Sequence, residues 1–273
     1  MEALGMTRVV IENGRVVEVG TPRLSYCPLF EKYRGIRKID PEAVRKNIQQ
    51  RIDEFGLFTA KRDIEFESFV GFGASEIFMS ALIHEKLDAV VCVCEGVGTV
   101  ITSSPSLVQG IGARISGIVE TTPIEGLVER VVAAGGIPLD AETARIDQVA
   151  GLEKAIGMGH TSVGVTVASV RDAERCRQIS PGAATFLVHT TGIGASCGDL
   201  SSCDLVTACA SRCIRDVLAG RILMQAGSSI PVFALSGRGK ELILSRLSDI
   251  KAPLKVHSAT LPDLSGPQPQ PLL

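Results

Sequence analysis

The sequence predicts an α/β protein with a largely parallel sheet, helices on both faces of that sheet and an N-terminal β-hairpin before it. Three patterns carry this prediction. From residue 75 onward, amphipathic segments alternate with short runs rich in Val and Ile, which is typical of a parallel sheet covered by helices. Runs such as residues 162–167 are apolar almost throughout, which indicates strands buried on both faces. Asn13-Gly14 separates two β-branched runs, the strongest short-range signal for a hairpin, here over residues 7–20.

The N-terminal part is predicted as an appendage, residues 1–60, on an α/β core, residues 61–250. Within the appendage, Asp40 precedes Pro41, a capping side chain followed by proline at the first helical position. A helix is therefore predicted to begin there and to end at Gly56, since glycine commonly terminates helices.

The alternating pattern of the core defines six strands and seven helices. The predicted strands are residues 88–94, 98–102, 161–167, 184–189, 204–207 and 230–235. The predicted helices are residues 75–86, 105–113, 123–134, 144–158, 169–179, 208–219 and 237–247.

The last segment, residues 251–273, is predicted to be a disordered, proline-rich tail. Prolines lack the N–H group that a strand or helix needs. Those of the tail are Pro253, Pro262, Pro267, Pro269 and Pro271.

Composition argues against several classes of function. The 28 basic and 30 acidic residues leave a formal charge of -2, Trp is absent and only two Tyr are present, so no nucleic-acid partner is expected. The amino-terminal residues lack a basic start followed by an apolar run, so they do not resemble an export signal. The longest apolar run, residues 87–94, is far shorter than the roughly 20 residues of a membrane span. We therefore expect a cytoplasmic protein without a membrane partner.

Three predicted strands end in chemically active side chains, namely Cys94, His189 and Cys209. In an open parallel sheet, ligands bind at the carboxyl ends of the strands, so these residues are candidates for one catalytic crevice. A thiol would serve as nucleophile or redox group and an imidazole as acid or base. The alternative is that the cysteines are small core residues and that His189 only satisfies a buried hydrogen bond.

Two further segments are candidates for anion binding. Thr190, Thr191 and Gly192 follow a strand and would present backbone N–H groups to an anion. Arg114 stands in a glycine-rich stretch, residues 109–117, which would bend sharply and offer a guanidinium to a carboxylate or phosphate. Both segments are equally compatible with structural turns.

The eight cysteines also suggest a metal site, because thiolates are ligands of zinc and of iron–sulfur clusters. Four of them cluster toward the carboxyl terminus, at Cys197, Cys203, Cys209 and Cys213. Their spacing matches no known metal-binding signature, although Cys209 and Cys213 would share one face of a helix. Without an export signal, reduced thiols are expected in preference to a disulfide framework.

Six short stretches, taken in order, carry a resemblance to a known family. They are residues 26–30 (YCPLF), 94–100 (CEGVGTV), 108–117 (VQGIGARISG), 144–149 (ARIDQV), 189–192 (HTTG) and 207–211 (TACAS). Together they resemble methanogenesis marker protein 8 over about residues 8–247. The resemblance implies a cytoplasmic archaeal protein of methane-producing organisms and implies no particular reaction.

The family motifs contain Cys27, Cys94, His189 and Cys209, and the resemblance narrows the metal hypothesis to these four. Three thiolates and an imidazole would suit zinc or an iron–sulfur cluster. The same set is compatible with a thiol-based catalytic or redox site.

The function implied by the resemblance is that of an accessory or maturation protein acting on methyl-coenzyme M reductase, its assembly factors or a cofactor of the pathway. One alternative is an enzyme for a small anionic metabolite, with Cys94 or Cys209 as nucleophile, His189 as acid or base and Arg114 as anion clamp. Another is a non-catalytic scaffold whose cysteines only pack. A short similarity of residues 73–94 to deazaflavin-reacting hydrogenase beta subunits leaves an oxidoreductase accessory role open.

Overall fold

Two β-sheets organise the part of the chain that the structure describes. The structure is a computed structural model, and it describes residues 1–3, 6–66, 70–115, 117–193, 199–218, 220–227 and 230–273. A three-stranded antiparallel sheet belongs to the N-terminal unit, and an eight-stranded mixed sheet forms the core. No helix within these ranges has the length and apolar character of a membrane span.

The N-terminal sheet contains the predicted hairpin. Its strands are β1 (Glu2–Ala3), β2 (Thr7–Glu12) and β3 (Arg15–Val19). Between β2 and β3, Asn13 has φ of 50° and Gly14 has φ of 70°, the two left-handed residues that a tight hairpin turn requires. The hairpin prediction is confirmed, and its physical basis is this turn.

Two helices pack on the N-terminal sheet, α1 (Pro28–Arg34) and α2 (Pro41–Phe55). The Asp40 side chain accepts a hydrogen bond from the backbone N–H of Ala43 at 2.9 Å, and Gly56 ends α2 with φ of 65°. The predicted cap and stop are thus confirmed. Apolar side chains of α2 and of the sheet share one hydrophobic cluster.

The large sheet has the strand order β10-β11-β9-β8-β7-β4-β5-β6. Its strands are β4 (Ala89–Cys94), β5 (Gly98–Thr102), β6 (Gly136–Pro138), β7 (Val163–Val167), β8 (Ala184–Leu187), β9 (Leu205–Thr207), β10 (Met224–Ala226) and β11 (Val232–Ala234). The four central strands, β9-β8-β7-β4, run parallel. The outer pairings on either side are antiparallel.

The predicted largely parallel sheet is not confirmed, since among the strands described four pairings are antiparallel and three are parallel. For the β4–β5 and β10–β11 pairings, the reason is the length of the connections. Only three residues, 95–97, separate β4 from β5, and only residues 227–231 separate β10 from β11. A parallel crossover needs a dozen residues or more, so these short links force the chain to turn back.

Helices cover both faces of the large sheet. They are α3 (Ala74–Ile83), α4 (Pro105–Gly112), α5 (Glu125–Ala133), α6 (Gln148–Gly157), α7 (Val170–Ile179), α8 (Arg212–Val217) and α9 (Gly237–Asp249). Helices α3, α4, α5 and α9 contribute to one hydrophobic cluster, and α6, α7 and α8 contribute to another. Sequence periodicity predicted all seven, although α6 and α8 each begin four residues later than expected. It missed α1, β1, β6 and β10, which are short.

The end of the tail departs from the expected disorder. Gln270 and Tyr26 exchange backbone hydrogen bonds, with N–O distances of 3.0 and 3.2 Å. Farther along, the Leu273 N–H donates to the Ala210 carbonyl at 3.2 Å, and its carbonyl accepts from the Arg212 N–H at 2.9 Å. Prolines lack an N–H group, but the residues between them keep theirs, and those donors anchor the tail to the body.

Candidate functional site

A cavity of about 650 Å³ lies between the N-terminal unit and the carboxyl ends of β7, β8 and β9. On the sheet side its walls include Val167, His189 and Cys209, and on the N-terminal side they include Cys27 and Phe30. Ligands bind at this end of open parallel sheets. Mostly apolar walls with a few polar groups are typical of small-molecule sites.

His189 stands at the carboxyl end of β8 in a strained backbone conformation, with φ of 55°. Its ring lies against Gly117, where an added Cβ would be 3.5 Å from the ring Cγ. The side chain is exposed to the cavity that it lines. Desolvation by the protein around the cavity lowers the pKa of His189, so the imidazole is neutral at neutral pH. Such left-handed, non-glycine residues cluster at functional sites.

Cys209 follows β9 and is the most accessible of the six free cysteines described, since the other five are buried. Its backbone N–H donates to Thr190 Oγ1 at 3.2 Å, and the Thr190 hydroxyl donates to the Thr207 carbonyl at 2.5 Å. Its Sγ lies 3.7 Å from Thr207 Oγ1. This network fixes the loop that presents the Cys209 thiol to the cavity.

Cys27 lines the same cavity from the N-terminal unit, at the N-cap of α1. Burial is the main reason that the pKa of its thiol is raised to about 11, and the nearby Cys209 contributes in the same direction. The thiol is therefore protonated at neutral pH.

Part of the backbone expected to bind an anion at Thr190-Thr191-Gly192 is used within the protein. The N–H groups of Gly192 and Ile193 donate to the carbonyls of Ala210 and Thr190, both at 3.2 Å, so they are already engaged. Thr191 lines the cavity, whereas Thr190 is buried beside it. The next residue of the predicted loop, Gly194, lies outside the described residues.

Arginines give the N-terminal wall of the cavity a positive character. Arg34, Arg51 and Arg114 all line it, and the charge of Arg34 lowers the pKa of the other two in addition to the effect of burial. The Arg114 guanidinium is stacked 4.2 Å from the ring centroid of Phe55 and 3.9 Å from that of Phe66. Arg114 thus lines the cavity, with its guanidinium positioned by aromatic rings, and its role as an anion clamp stays a prediction.

Cys94 lies apart from this group. It is fully buried in the hydrophobic cluster beneath the β4–β5 turn, where its Sγ–H donates to the Glu95 carbonyl at 3.4 Å. Burial raises the pKa of the thiol well above its ordinary value. A nucleophilic role predicted for Cys94 is therefore not supported by its position.

The same turn carries a fully buried ion pair, in which Arg62 Nε lies 2.6 Å from Glu95 Oε1. The Arg62 guanidinium also donates to the Gly110 carbonyl at 2.8 Å. An added Cβ at Gly110 would lie 1.6 Å from the Ile64 carbonyl oxygen. The glycines and charges of two of the predicted motifs thus serve packing in this region.

The four-residue metal set is not brought together. Within the described ranges, no three His, Cys, Asp or Glu side chains are grouped as metal ligands. Cys27, His189 and Cys209 share the cavity without Cys94. Of the remaining cysteines considered as ligands, Cys203 is buried, Cys213 is disulfide-bonded, contrary to the expectation of reduced thiols, and Cys197 lies outside the described residues.

Residues 1–248 match the family described as uncharacterized protein conserved in archaea (DUF2099). The chain belongs to this family. An uncharacterized protein of Methanocaldococcus jannaschii is 48% identical to it over 277 residues, an alignment that covers 100% of this chain and 98% of the relative. The predicted archaeal family is thereby confirmed, and the finer resemblance to methanogenesis marker protein 8 stays a prediction.

Sequence reasoning missed two polar residues that line the cavity of this DUF2099 member. Glu76 lies in the first turn of α3 and accepts a hydrogen bond from Gln109 Nε2 at 2.9 Å. Gln148 begins α6 and accepts from Thr99 Oγ1 at 2.7 Å. Both stand at helix N-termini that face the carboxyl ends of the strands. That position was the available signal for both, and Gln148 also stands in one of the six family motifs, residues 144–149.

Proposed function

We propose that this chain is an accessory or maturation protein of methane metabolism that binds a small organic anion in the cavity. The observation that carries the proposal is the cavity itself, with arginines on one wall and Cys27, Cys209 and His189 on the others. A guanidinium cluster suits a carboxylate or phosphate, and the apolar walls suit the body of an organic molecule. The relative from Methanocaldococcus jannaschii supports the metabolic setting.

The binding step is tested first. Protein purified without oxygen from an archaeal host is analysed by native mass spectrometry for a retained small molecule. Thr191→Trp places an indole in the cavity and should abolish retention, whereas Gln178→Trp, on the exposed face of α7, should not. Equal retention by both variants would place the molecule elsewhere and refute the cavity as its site.

The partner step is tested separately. If the protein serves methyl-coenzyme M reductase or its assembly factors, tagged protein should co-purify with them, and the Thr191→Trp variant should lose the accessory effect on reductase activity. A deletion strain with unchanged reductase activity and unchanged cofactor content would contradict this assignment.

A second candidate function, a thiol-dependent enzyme, is favoured by the exposure of Cys209. Among the free cysteines described it alone escapes full burial, and it shares the cavity with the neutral imidazole of His189. We expect iodoacetamide to alkylate Cys209 on the order of tenfold faster or more than the buried Cys203, because only the accessible thiol meets the reagent without local unfolding. Equal rates would remove this candidate.

A further inference from the structure

We propose that Cys27 and Cys209 form a dithiol that reduces a small organic disulfide held in the cavity. The proposal deepens the proposed function, since it uses the same cavity, and it assigns to that cavity a substrate class and a reaction. Both thiols are free, and both line the cavity.

The tail shows that the two cysteine segments lie close together. Gln270 is paired with Tyr26, the residue before Cys27, and Leu273 is paired with Ala210, the residue after Cys209. Three residues of extended chain span about 10 Å at most, so the two backbones are held within a short distance of each other. Cys27 and Ala210 also pack in one hydrophobic cluster. A disulfide between them needs a Cα–Cα distance of about 4.4–6.8 Å, which formation of the Cys27–Cys209 cross-link would demonstrate.

The two thiols differ in accessibility, which distinguishes the attacking thiol from the resolving one. Cys209 is accessible from the cavity and suits the first attack on a disulfide. Cys27 is buried, and its raised pKa, about 11, keeps it protonated and unreactive toward the substrate itself. Once Cys209 carries a mixed disulfide, the neighbouring Cys27 is positioned to resolve it.

A substrate R–S–S–R′ would be reduced in two thiol–disulfide exchange steps. Cys209 loses its proton and attacks one sulfur, the substrate S–S bond breaks, and R′–SH leaves with a proton. Cys27 then loses its proton and attacks Cys209 Sγ, which releases R–SH and forms the Cys27–Cys209 disulfide. The substrate gains two electrons and two protons, and the protein dithiol loses them. An external dithiol compound would restore the reduced protein.

The position of Cys27 and Cys209 inside the cavity favours a small substrate. The cavity measures about 650 Å³, and Glu2, Phe30 and Pro269 contribute to its walls from the N-terminal unit and from the tail. These elements leave room for a metabolite-sized disulfide and hinder the approach of a folded protein.

The test uses bis(2-hydroxyethyl) disulfide as the probe on the reduced full-length chain. The wild type should lose two free thiols per chain, release two equivalents of 2-mercaptoethanol and yield a Cys27–Cys209 cross-linked peptide in a non-reducing map. The Cys27→Ser variant should stop at a mixed disulfide on Cys209 and release one equivalent. Cys209→Ser should lose the reaction, and Cys203→Ser, which removes a buried thiol of another cluster, should react like the wild type.

A wild-type protein that ends as a mixed disulfide on Cys209, with Cys27 unmodified, would overturn the proposal, as would a lack of reaction at either residue. The wild-type map alone decides this outcome, so misfolding of a variant does not obscure it. The readout requires neither a natural ligand nor a reductase partner. Failure of the accessory function would leave this result intact, and failure of the dithiol would leave anion binding intact.

Discussion

The rim of the large sheet contains two motif-bearing regions that look alike in sequence and differ in structure. At the β4–β5 turn, the Arg62–Glu95 pair and Gly110 are sealed from solvent, and their polar groups contact one another. At the ends of β8 and β9, His189 and Cys209 face a cavity. Both regions combine glycines, a thiol and polar side chains after a strand.

The difference teaches how to distinguish a packing motif from a binding motif. In the sealed region the carboxylate has its cation within the chain, and glycine is required because another backbone occupies the space of a side chain. In the open region the polar network orients Cys209 toward empty volume. Substitutions should therefore affect stability in the first region and binding or reactivity in the second.

The largest effect is expected for the buried ion pair. Arg62→Met leaves the Glu95 carboxylate buried without its cation, which should lower the free energy of unfolding by about 3–5 kcal/mol. Cys209→Ser should change it by no more than about 1 kcal/mol, since Cys209 is only partly buried. Urea denaturation of both variants measures the contrast. The double variant Arg62→Met/Glu95→Leu should recover part of the lost stability. A loss below about 1 kcal/mol for Arg62→Met would contradict the proposed difference between the sealed and the open region.

A smaller difference in stability is expected between alanine substitutions at two glycines. Gly110→Ala would drive a methyl group into the Ile64 carbonyl and should cost at least about 1–3 kcal/mol. Gly117→Ala places its methyl at ordinary contact distance from the His189 ring and should stay within about 0.5 kcal/mol of the wild type. The melting temperatures of the two variants are compared with that of the wild type. Equal decreases would mean that the open region is as tightly packed as the sealed one.

The smallest effect concerns pH. Burial lowers the pKa of His189 below its value in the unfolded chain, so the unfolded state binds a proton more readily. The stabilisation that comes from a neutral His189 is complete above about pH 6.5, the pKa of histidine in the unfolded chain. It is lost as the pH falls below that value. The His189→Asn variant should therefore show a shallower decline in melting temperature between about pH 7 and about pH 5. Parallel declines in the two proteins would show that His189 is solvated in the native state.

Sequence alone predicted the elements whose signals are local. The hairpin at Asn13-Gly14, the Asp40 cap and the strand β5 follow from a few neighbouring residues, and each is found where expected. The mixture of parallel and antiparallel pairings in the large sheet was not predicted, because apolar runs show burial and not pairing.

The residues of the candidate site were also predicted only in part. The strand-end argument selected His189 and Cys209, and both line one cavity because parallel strands carry their termini to one rim. The wall that brings Cys27 and the arginines to that rim comes from the N-terminal unit, and such packing depends on contacts distant in sequence. Burial of Cys94 could not be distinguished from exposure, since a motif does not show which side of a turn is covered.

The cavity has walls from two separate hydrophobic assemblies, that of the N-terminal unit and that of the large sheet. A molecule bound there would touch both and so hold the smaller assembly against the larger one. Amide hydrogens of β2, β3 and α2 would then exchange more slowly in the occupied protein than in the empty one. Those of the β7–β8 pairing, deep within the large sheet, would exchange at the same rate in both.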